Sequence, residues 1–504
     1  MTGSRHTAAP GPRLSPAYRA YALGLLALIN LLNYLDRNVI FALFEPIKRD
    51  LGLTDTQLGW LGSAYILVFS VAALPFGVIS DLRSRRAVIA AGVAVWSAFT
   101  ALGGAVRNFG QLFTCRAAVG IGEAAFGPAA ASLVADYFPG KGRAVAMGVL
   151  SSGIALGGVL GIGLGGVLEK HYGWRVAFLV VGVPGFLCAM AAARLIDPTR
   201  RPSGLPVRAA VAGLAGGLTA LRRQFVCTIV GALAGFATAV VLDQGFGADS
   251  KLDIAVFGAA VGLGLAGDIL RWVRLIRRGK IATTPLGGDI GSALDDIVGA
   301  GKRVLGTPTL MYVFVAGAMI SFGMNGIVGW GPTFIARELN LTSSQAATLL
   351  GKWGLLSGTA GTLFGGALAD WLRRYTDRGR VITVALGLLI GAPAAIWLLT
   401  VRDQAIFVPV FFGAFFFLSW YNGPLTAVIF DVAPARVGAT VAGAYLLFIH
   451  LAGDAIAFPL VGALSDRFGI DRAVFVLPCV ALLGGLVVLG AARTVGADMK
   501  RVAA

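Results

Sequence analysis

Apolar runs of 18 or more residues recur along the chain between short polar turns, and a run of that length spans a bilayer as a helix. Twelve strong runs fall at about 18–43, 56–80, 86–106, 109–136, 143–168, 173–196, 308–335, 344–369, 381–401, 405–431, 437–464 and 472–493. The pattern predicts an all-α polytopic membrane protein with two groups of six spans, 18–196 and 307–493. Short tails of 1–17 and 494–504 flank them, and a connector of 197–306 joins them. The polar segment Met1–Pro16 has no cleavable signal pattern, so the first run is expected to serve as both insertion signal and permanent helix. Inside the connector, about 225–242 and 254–272 read as a weaker pair of spans. Arg222, Arg223 and Arg271–Arg278 flank that pair, and Asp243, Asp249 and Asp253 lie between its arms, so an extra transmembrane hairpin is expected there, with a cytoplasmic or interfacial amphipathic pair as the alternative.

Composition agrees. The chain of 504 residues is 57% hydrophobic and 13% charged, with a mean hydropathy of +0.80, too apolar for a soluble domain. The 71 glycines suit membrane helices that pack through small residues. A net charge of +17 invites a nucleic-acid reading, but the cations fall in the short loops of one side: Arg83, Arg85 and Arg86, Lys141 and Arg143, Arg271–Lys280, and Arg373, Arg374, Arg378 and Arg380. That is the positive-inside pattern; it places both termini in the cytoplasm and leaves contact with anionic lipid as the role of the basic loops. Cys115, Cys188, Cys227 and Cys479 are scattered through apolar runs without a CxxC, as small buried hydrophobes would be.

The charges that break the apolar runs carry the candidate chemistry. Arg116 and Glu123 lie seven residues apart in the fourth run, two helical turns, so they project from one face. Each charge within a membrane helix costs roughly 2.5–3.5 kcal/mol on insertion scales, so such groups face a polar cavity or one another. Gly120 and Gly122 leave that face open to a neighbouring helix or a ligand. Asp36 and Arg37, adjacent in the first run, point about 100° apart and cannot both meet one partner. One of them is expected to face the cavity and exchange partners with Arg116 and Glu123. A carboxylate that gains or loses a neighbouring cation changes its hold on a proton, which would couple protons to substrate; a static ion-pair lock between the two helices is the competing reading. His450 and Asp454 share a face of the eleventh run at i and i+4, as a second protonation site, a headgroup site or a structural pair. Lys352 could meet a phosphate or snorkel to the interface. Asn33, Asn325, Tyr421 and Asn422 are expected to line the cavity, whereas Phe411, Phe412 and Phe415–Phe417 read as packing or lipid-facing.

A loop motif repeats. Gly77-Val-Ile-Ser-Asp81-Leu-Arg83-Ser-Arg85-Arg86 ends the second run, Gly366-Ala-Leu-Ala-Asp370-Trp-Leu-Arg373-Arg374 ends the eighth, and Gly462-Ala-Leu-Ser-Asp466-Arg467 closes the eleventh. An aspartate at a helix C-terminus is disfavoured by the helix dipole, so it seeks a cation or a helix N-terminus on a neighbour. Gly77, Asp81, Arg85, Asp370 and Arg373 are therefore read as gating latches between the halves. Copies at half-chain and quarter-chain spacing suit a 6+6 transporter built from inverted units.

The motif at 77–86 resembles the loop signature of the major facilitator superfamily, although Leu82 and Ser84 stand where that signature usually has Arg and Gly. Arg116-Ala-Ala-Val-Gly120-Ile-Gly122-Glu123 resembles its fourth-helix motif; Asp136-Tyr-Phe-Pro139 and Gly173-Trp-Arg-Val-Ala-Phe178 match further pieces. Asn33-Tyr-Leu-Asp36-Arg37, and the stretch from Ile449-His450 through Asp454 and Pro459 to Asp466-Arg467, resemble the Spinster family. The resemblance covers nearly all of the chain outside 197–306. It implies two six-helix bundles with pseudo-twofold symmetry around a midplane cavity, alternating access, and proton-coupled movement of a lysophospholipid or sphingoid phosphate. The alternatives are another amphiphilic drug or organic anion, or a membrane sensor on the same fold. The expected setting is a bacterial cytoplasmic membrane and the expected state a monomer. No cofactor, metal site or enzyme activity is expected: the three histidines are dispersed, no P-loop occurs, and Gly161-Ile-Gly163-Leu-Gly165-Gly166 fits a dinucleotide fingerprint only outside any βαβ context.

Overall fold

The computed structural model describes residues 14–82, 84–139, 142–198, 304, 306–434 and 438–503, together with Gly267. Of Gly77 and Asp81 only the backbone is described. The chain divides into Met1–Arg201 with Asp296–Ala504, and Pro202–Asp295. Apart from Gly267, the hairpin expected at 225–242 and 254–272 lies outside the described residues.

The first unit is a bundle of twelve helical paths. The N-terminal six are α1 (Pro16–Ala42), α2 (Asp55–Leu82), α3 (Arg85–Gly103), α4 (Phe109–Tyr137), α5 (Arg143–Tyr172) and α6 (Trp174–Ala193). The C-terminal six are α7 (Pro308–Glu338), α8 (Ser343–Arg373), α9 (Gly379–Leu398), α10 (Gln404–Val432), α11 (Gly438–Ile449 continuing to Phe468) and α12 (Val476–Ala503). Eleven of these paths are long and apolar enough to cross a membrane; α8, which carries Lys352, is the twelfth and is 31 residues long. Among the described residues there is no strand.

Polar residues start several helices by capping exposed amides. Asn108 accepts from the Gln111 amide at the head of α4 (2.9 Å), and Thr342 with Gln345 forms a capping box at the head of α8. Proline sets most of the interruptions. It offers no N–H to the carbonyl four residues back and its ring crowds that carbonyl. Pro46 ends α1 at Ala42, Pro128 splits α4 at Ala125, and Pro424 leaves a short 3₁₀ turn, Ser419–Tyr421, inside α10. Pro459 follows a π-helical turn, His450–Asp454, in α11. Pro184, Pro332, Pro393 and Pro409 are accommodated within continuous helices, so proline alone does not decide a break.

Both ends of the bundle can be assigned from contacts. The Ile196 amide after α6 donates to Tyr18 at the start of α1 (2.7 Å), and Asp498 near the end of α12 caps Thr309 at the start of α7 (3.0 Å). The start of α1 and the end of α12 therefore share one face, the terminal face. Arg337 at the end of α7 meets Glu45 after α1 and Asp55 at the start of α2, both on the far face.

The halves meet along α2 with α11, α5 with α8, and α1 with α7, contacts that a twofold exchange of halves maps onto one another. The α5–α8 seam is made by small residues: a side chain on Gly166 would strike Ala347 and Ser344. Within the N-terminal half, Gly122 of α4 and Gly92 of α3 lie on each other's carbonyls, and a Cβ on Gly122 would sit 2.6 Å from the Trp96 amide nitrogen. Gly122→Val is expected to destabilise the bundle by about 1–3 kcal/mol through overpacking, whereas Gly127→Ala, which faces open space, leaves it unchanged. Unfolding of the two variants in detergent distinguishes them.

Candidate functional site

The first cluster lies inside the N-terminal half. Arg37 Nε donates to Glu123 Oε2 at 2.6 Å, and Arg116 Nη1 pairs with Asp36 Oδ1 at 3.2 Å. Two neighbours on α1 that face different ways thus each take one of the two charges aligned on α4. Asp36 also accepts from Thr100 Oγ1 of α3. All four charges are buried; Asp36, Arg116 and Glu123 are each 1% exposed. The set is electrically neutral, which is what allows it to sit in an apolar interior.

Aromatic faces from α2 and α1 close the cluster. The Arg37 guanidinium lies 4.5 Å from the Phe69 ring centre and 4.6 Å from that of Tyr34. Tyr65 sits between the two arginines, 5.3 Å from Arg37 and 5.4 Å from Arg116, the placement in which a ring's negative face attracts a cation. Gly120 makes this approach possible: a side chain there would collide with the Tyr65 carbonyl and the Phe69 amide. The glycine-lined face of α4 is therefore filled by neighbouring helices, Gly120 by α2 and Gly122 by α3.

The cluster is not saturated. Arg116 Nε and Nη2, Glu123 Oε1 and Asn33 Nδ2 are buried and have no hydrogen-bond partner among the described residues. A buried guanidinium with two unused donors beside a carboxylate with one unused oxygen can bind a zwitterionic or anionic polar group, or pass a proton between carboxylates.

The second cluster lies at mid-depth in the C-terminal half. His450 Nδ1 lies 2.6 Å from Asp454 Oδ2 within the π-helical turn of α11. Asp454 Oδ1 accepts from Ser321 Oγ and from Asn325 Nδ2 (2.9 Å) on α7. The turn packs against both α7 and α2, so α2 touches both clusters, through Tyr65 and Phe69 on one and the π turn on the other.

The remaining sequence candidates fall elsewhere. Lys352 is exposed and its ammonium lies 4.8 Å from the ring centre of its neighbour Trp353; no bond joins it to either cluster among the described residues. Asn422 bonds Thr362 of α8 (3.1 Å), and Tyr421 is partly buried against the core. Phe411 and Phe415 are buried in the C-terminal half, where they line a small apolar pocket with Phe407, Trp330 and Phe334.

The described latch residues Arg85, Asp370 and Arg373 make bonds within their own halves. Arg85 binds Asp197 and Asp136 (2.6 and 2.7 Å) and Ser132. Asp370 meets Arg380 of α9 (3.2 Å), which also holds Asp431, and Arg373 approaches Asp377 and Asp431. The cation nearest Asp370 belongs to its own bundle, so that charge is satisfied without crossing. The side chain of Asp81 lies outside the described residues. The copy that does cross is the third: Asp466 of α11 accepts from the Asp55 and Thr56 amides of α2, each at 2.8 Å. Beside it, Asp55 binds Arg337 and Lys48. The sequence reading passed over Lys48, Asp55, Arg337 and Asp466 as site residues; the signal was Asp466 in a third copy of the motif, at the end of an odd-numbered span. Among the described residues no group of three or more His, Cys, Asp or Glu is gathered to hold a metal ion.

Paired helical halves, with neutralised charges inside one of them and a polar cluster inside the other, define a polytopic membrane protein of the transporter kind. The chain belongs to the Major Facilitator Superfamily, whose model matches residues 26–284 and 253–453. It is 26% identical over 467 residues to an MFS-type efflux pump of Mycolicibacterium smegmatis, covering 92% of this chain and 88% of that protein. Protein spinster of Drosophila melanogaster is 25% identical over 90% of this chain, which spans 63% of that longer protein. The sphingosine-1-phosphate transporter SPNS2 of Xenopus tropicalis is 22% identical over 94% of this chain and 81% of its own length. The inward-facing, unoccupied crystal structure of a bacterial homologue of the human lysosomal transporter Spinster superposes with a TM-score of 0.71 at 21% identity, over 96% of this chain and 99% of that one. The Spinster resemblance read from the helix 1 and helix 11 motifs agrees with these relatives.

Arg37→Ala would strand Glu123 in an apolar interior and is expected to cost about 3–5 kcal/mol of stability. Arg37→Met combined with Glu123→Leu is expected to restore most of that loss. Denaturant unfolding of both variants in micelles is the measurement; equal losses for the two would contradict the pairing.

Proposed function

We propose that this protein is a secondary active transporter that moves a lysolipid-type amphiphile by alternating access, driven by protons. The observation that carries the reading is the neutral, buried set Asp36–Arg116 and Arg37–Glu123 with donors and an acceptor left unused on Arg116 and Glu123. A polar headgroup entering there competes for Arg116 and Glu123; the carboxylate it displaces from a cation takes up a proton, and departure of the headgroup reverses the exchange. His450 with Asp454 is the second proton-exchanging pair, Asn325 holding its carboxylate and Asn33 adding a donor beside the first. An acyl tail lies against apolar helix faces.

The lysine- and arginine-rich loops support a cytoplasmic location for both termini. The described bonds between halves lie on the far face and at mid-depth, which supports reading this conformation as an inward-facing stage of such a cycle. The naming of SPNS2 relatives as sphingosine-1-phosphate transporters supports a single-chain lipid substrate. A second reading, export of another amphiphilic drug, is favoured by the mycobacterial relative, named an efflux pump.

Uptake of a labelled lysophospholipid into proteoliposomes, with and without an imposed pH gradient, tests the proposal. Gradient-dependent flux that falls at least ten-fold in Glu123→Gln is expected. Flux indifferent to the gradient would remove proton coupling. Absence of flux for several lysolipids, with amphiphilic drugs still carried, would leave the efflux reading.

A further inference from the structure

We infer that the α2–α11 seam is a conformational catch that selects the state closed at the far face, with Asp466 as its principal holding residue and Ser63 as a second point of attachment. Asp466 Oδ1 accepts from the Asp55 amide and Oδ2 from the Thr56 amide, both at 2.8 Å, and Oδ2 also accepts from Thr56 Oγ1 at 2.6 Å. A carboxylate that ends one helix therefore caps the positive end of another, 410 residues earlier in the chain. Ser465 adds a bond to Asp55 Oδ2 (2.6 Å). Arg337 grips that carboxylate with two nitrogens at 2.7 and 2.8 Å, and Lys48 holds it at 2.6 Å.

Nearer mid-depth, Pro459 has no N–H to give the Ala455 carbonyl. Ser63 Oγ of α2 donates to that carbonyl at 2.8 Å and completes it from the opposite half. The Ala455 carbonyl lies one residue beyond the π-helical turn, so opening the seam also leaves a carbonyl unbonded beside the His450–Asp454 pair. Glycine fits the seam: a Cβ on Gly462 would strike the Asp55 carbonyl, and one on Gly59 would lie 2.7 Å from Pro459 Cα.

The hydrogen bonds described between the two halves fall on this seam or on its neighbour Arg337. Separating the far face breaks them together, so the seam holds the described state. The inference takes its purpose from the transport reading, but its test involves no substrate.

The experiment is a spin-label distance measurement on the full chain in nanodiscs. Labels go on Arg107→Cys and Gln404→Cys, exposed positions on the far face of opposite halves, with the four native cysteines replaced by alanine. The unmodified seam is expected to give one short distance. Asp466→Asn is expected to raise a longer-distance population at least ten-fold, a change of about 1.4 kcal/mol between states. Thr56→Val and Ser63→Ala are expected to shift it in the same direction by less. Asp471→Asn, which changes a nearby carboxylate with no partner in the other half among the described residues, serves as control. Distances in Asp466→Asn, Thr56→Val and Ser63→Ala identical to those of the control would overturn the inference. If Asp466→Asn does not fold, the other two decide alone. A shifted distance together with absent lysolipid flux would keep the catch and reject the substrate.

Discussion

Four charges inside one apolar half must cancel, and much of the N-terminal bundle is arranged so that they do. An unpaired ion in such an interior costs several kcal/mol after relaxation. That penalty places Asp36 and Arg37 of α1 against Arg116 and Glu123 of α4, in two pairs rather than one. It also dictates the neighbours. Thr100 approaches from α3 to complete Asp36, α2 brings Tyr65 and Phe69 over the guanidinium groups, and Gly120 keeps α4 bare enough for α2 to come that close. The aromatic rings serve twice, filling space as apolar side chains do and meeting the cations with their electron-rich faces.

The two seams between the halves solve the same packing problem with different chemistry. On α5 and α8 the contact is between small residues, which bring backbones together and leave nothing directional to break. On α2 and α11 glycine permits the same proximity, but a carboxylate, a hydroxyl and an orphaned carbonyl are fastened across it. One seam is held by packing and the other by directional bonds, the kind of contact a two-state element makes or breaks.

Much of this was legible in the sequence because it is local. Apolar run lengths located eleven of the twelve paths to within about five residues; α12 runs on to Ala503, through the stretch 494–503 expected to be a tail. The seven-residue spacing of Arg116 and Glu123 aligned them on one face, and the one-residue spacing of Asp36 and Arg37 required separate partners. The dipole rule at helix ends led to the expectation that an aspartate closing a helix seeks either a cation or a helix N-terminus. What local rules could not supply was the choice among partners. Asp370 found Arg380 on the next helix of its own half, while Asp466, with the same motif, found amides of α2. The difference lies in which helix N-terminus the tertiary arrangement brings within reach. Arg337 was hidden for the same reason: its meeting with Glu45 and Asp55 depends on the end of α7 standing over the start of α2.

The break in α4 comes two residues after Glu123, where Pro128 denies the Ala124 carbonyl its donor. The far-face segment carries Arg116 and Glu123; the terminal-face segment carries Ser132 and Asp136, both held by Arg85. Ala125 itself keeps right-handed helical angles, φ −74° and ψ −23°, so the path continues through the missing bond. One span thus carries the interior charge set and the rim around Arg85 alike, and the two share a single backbone.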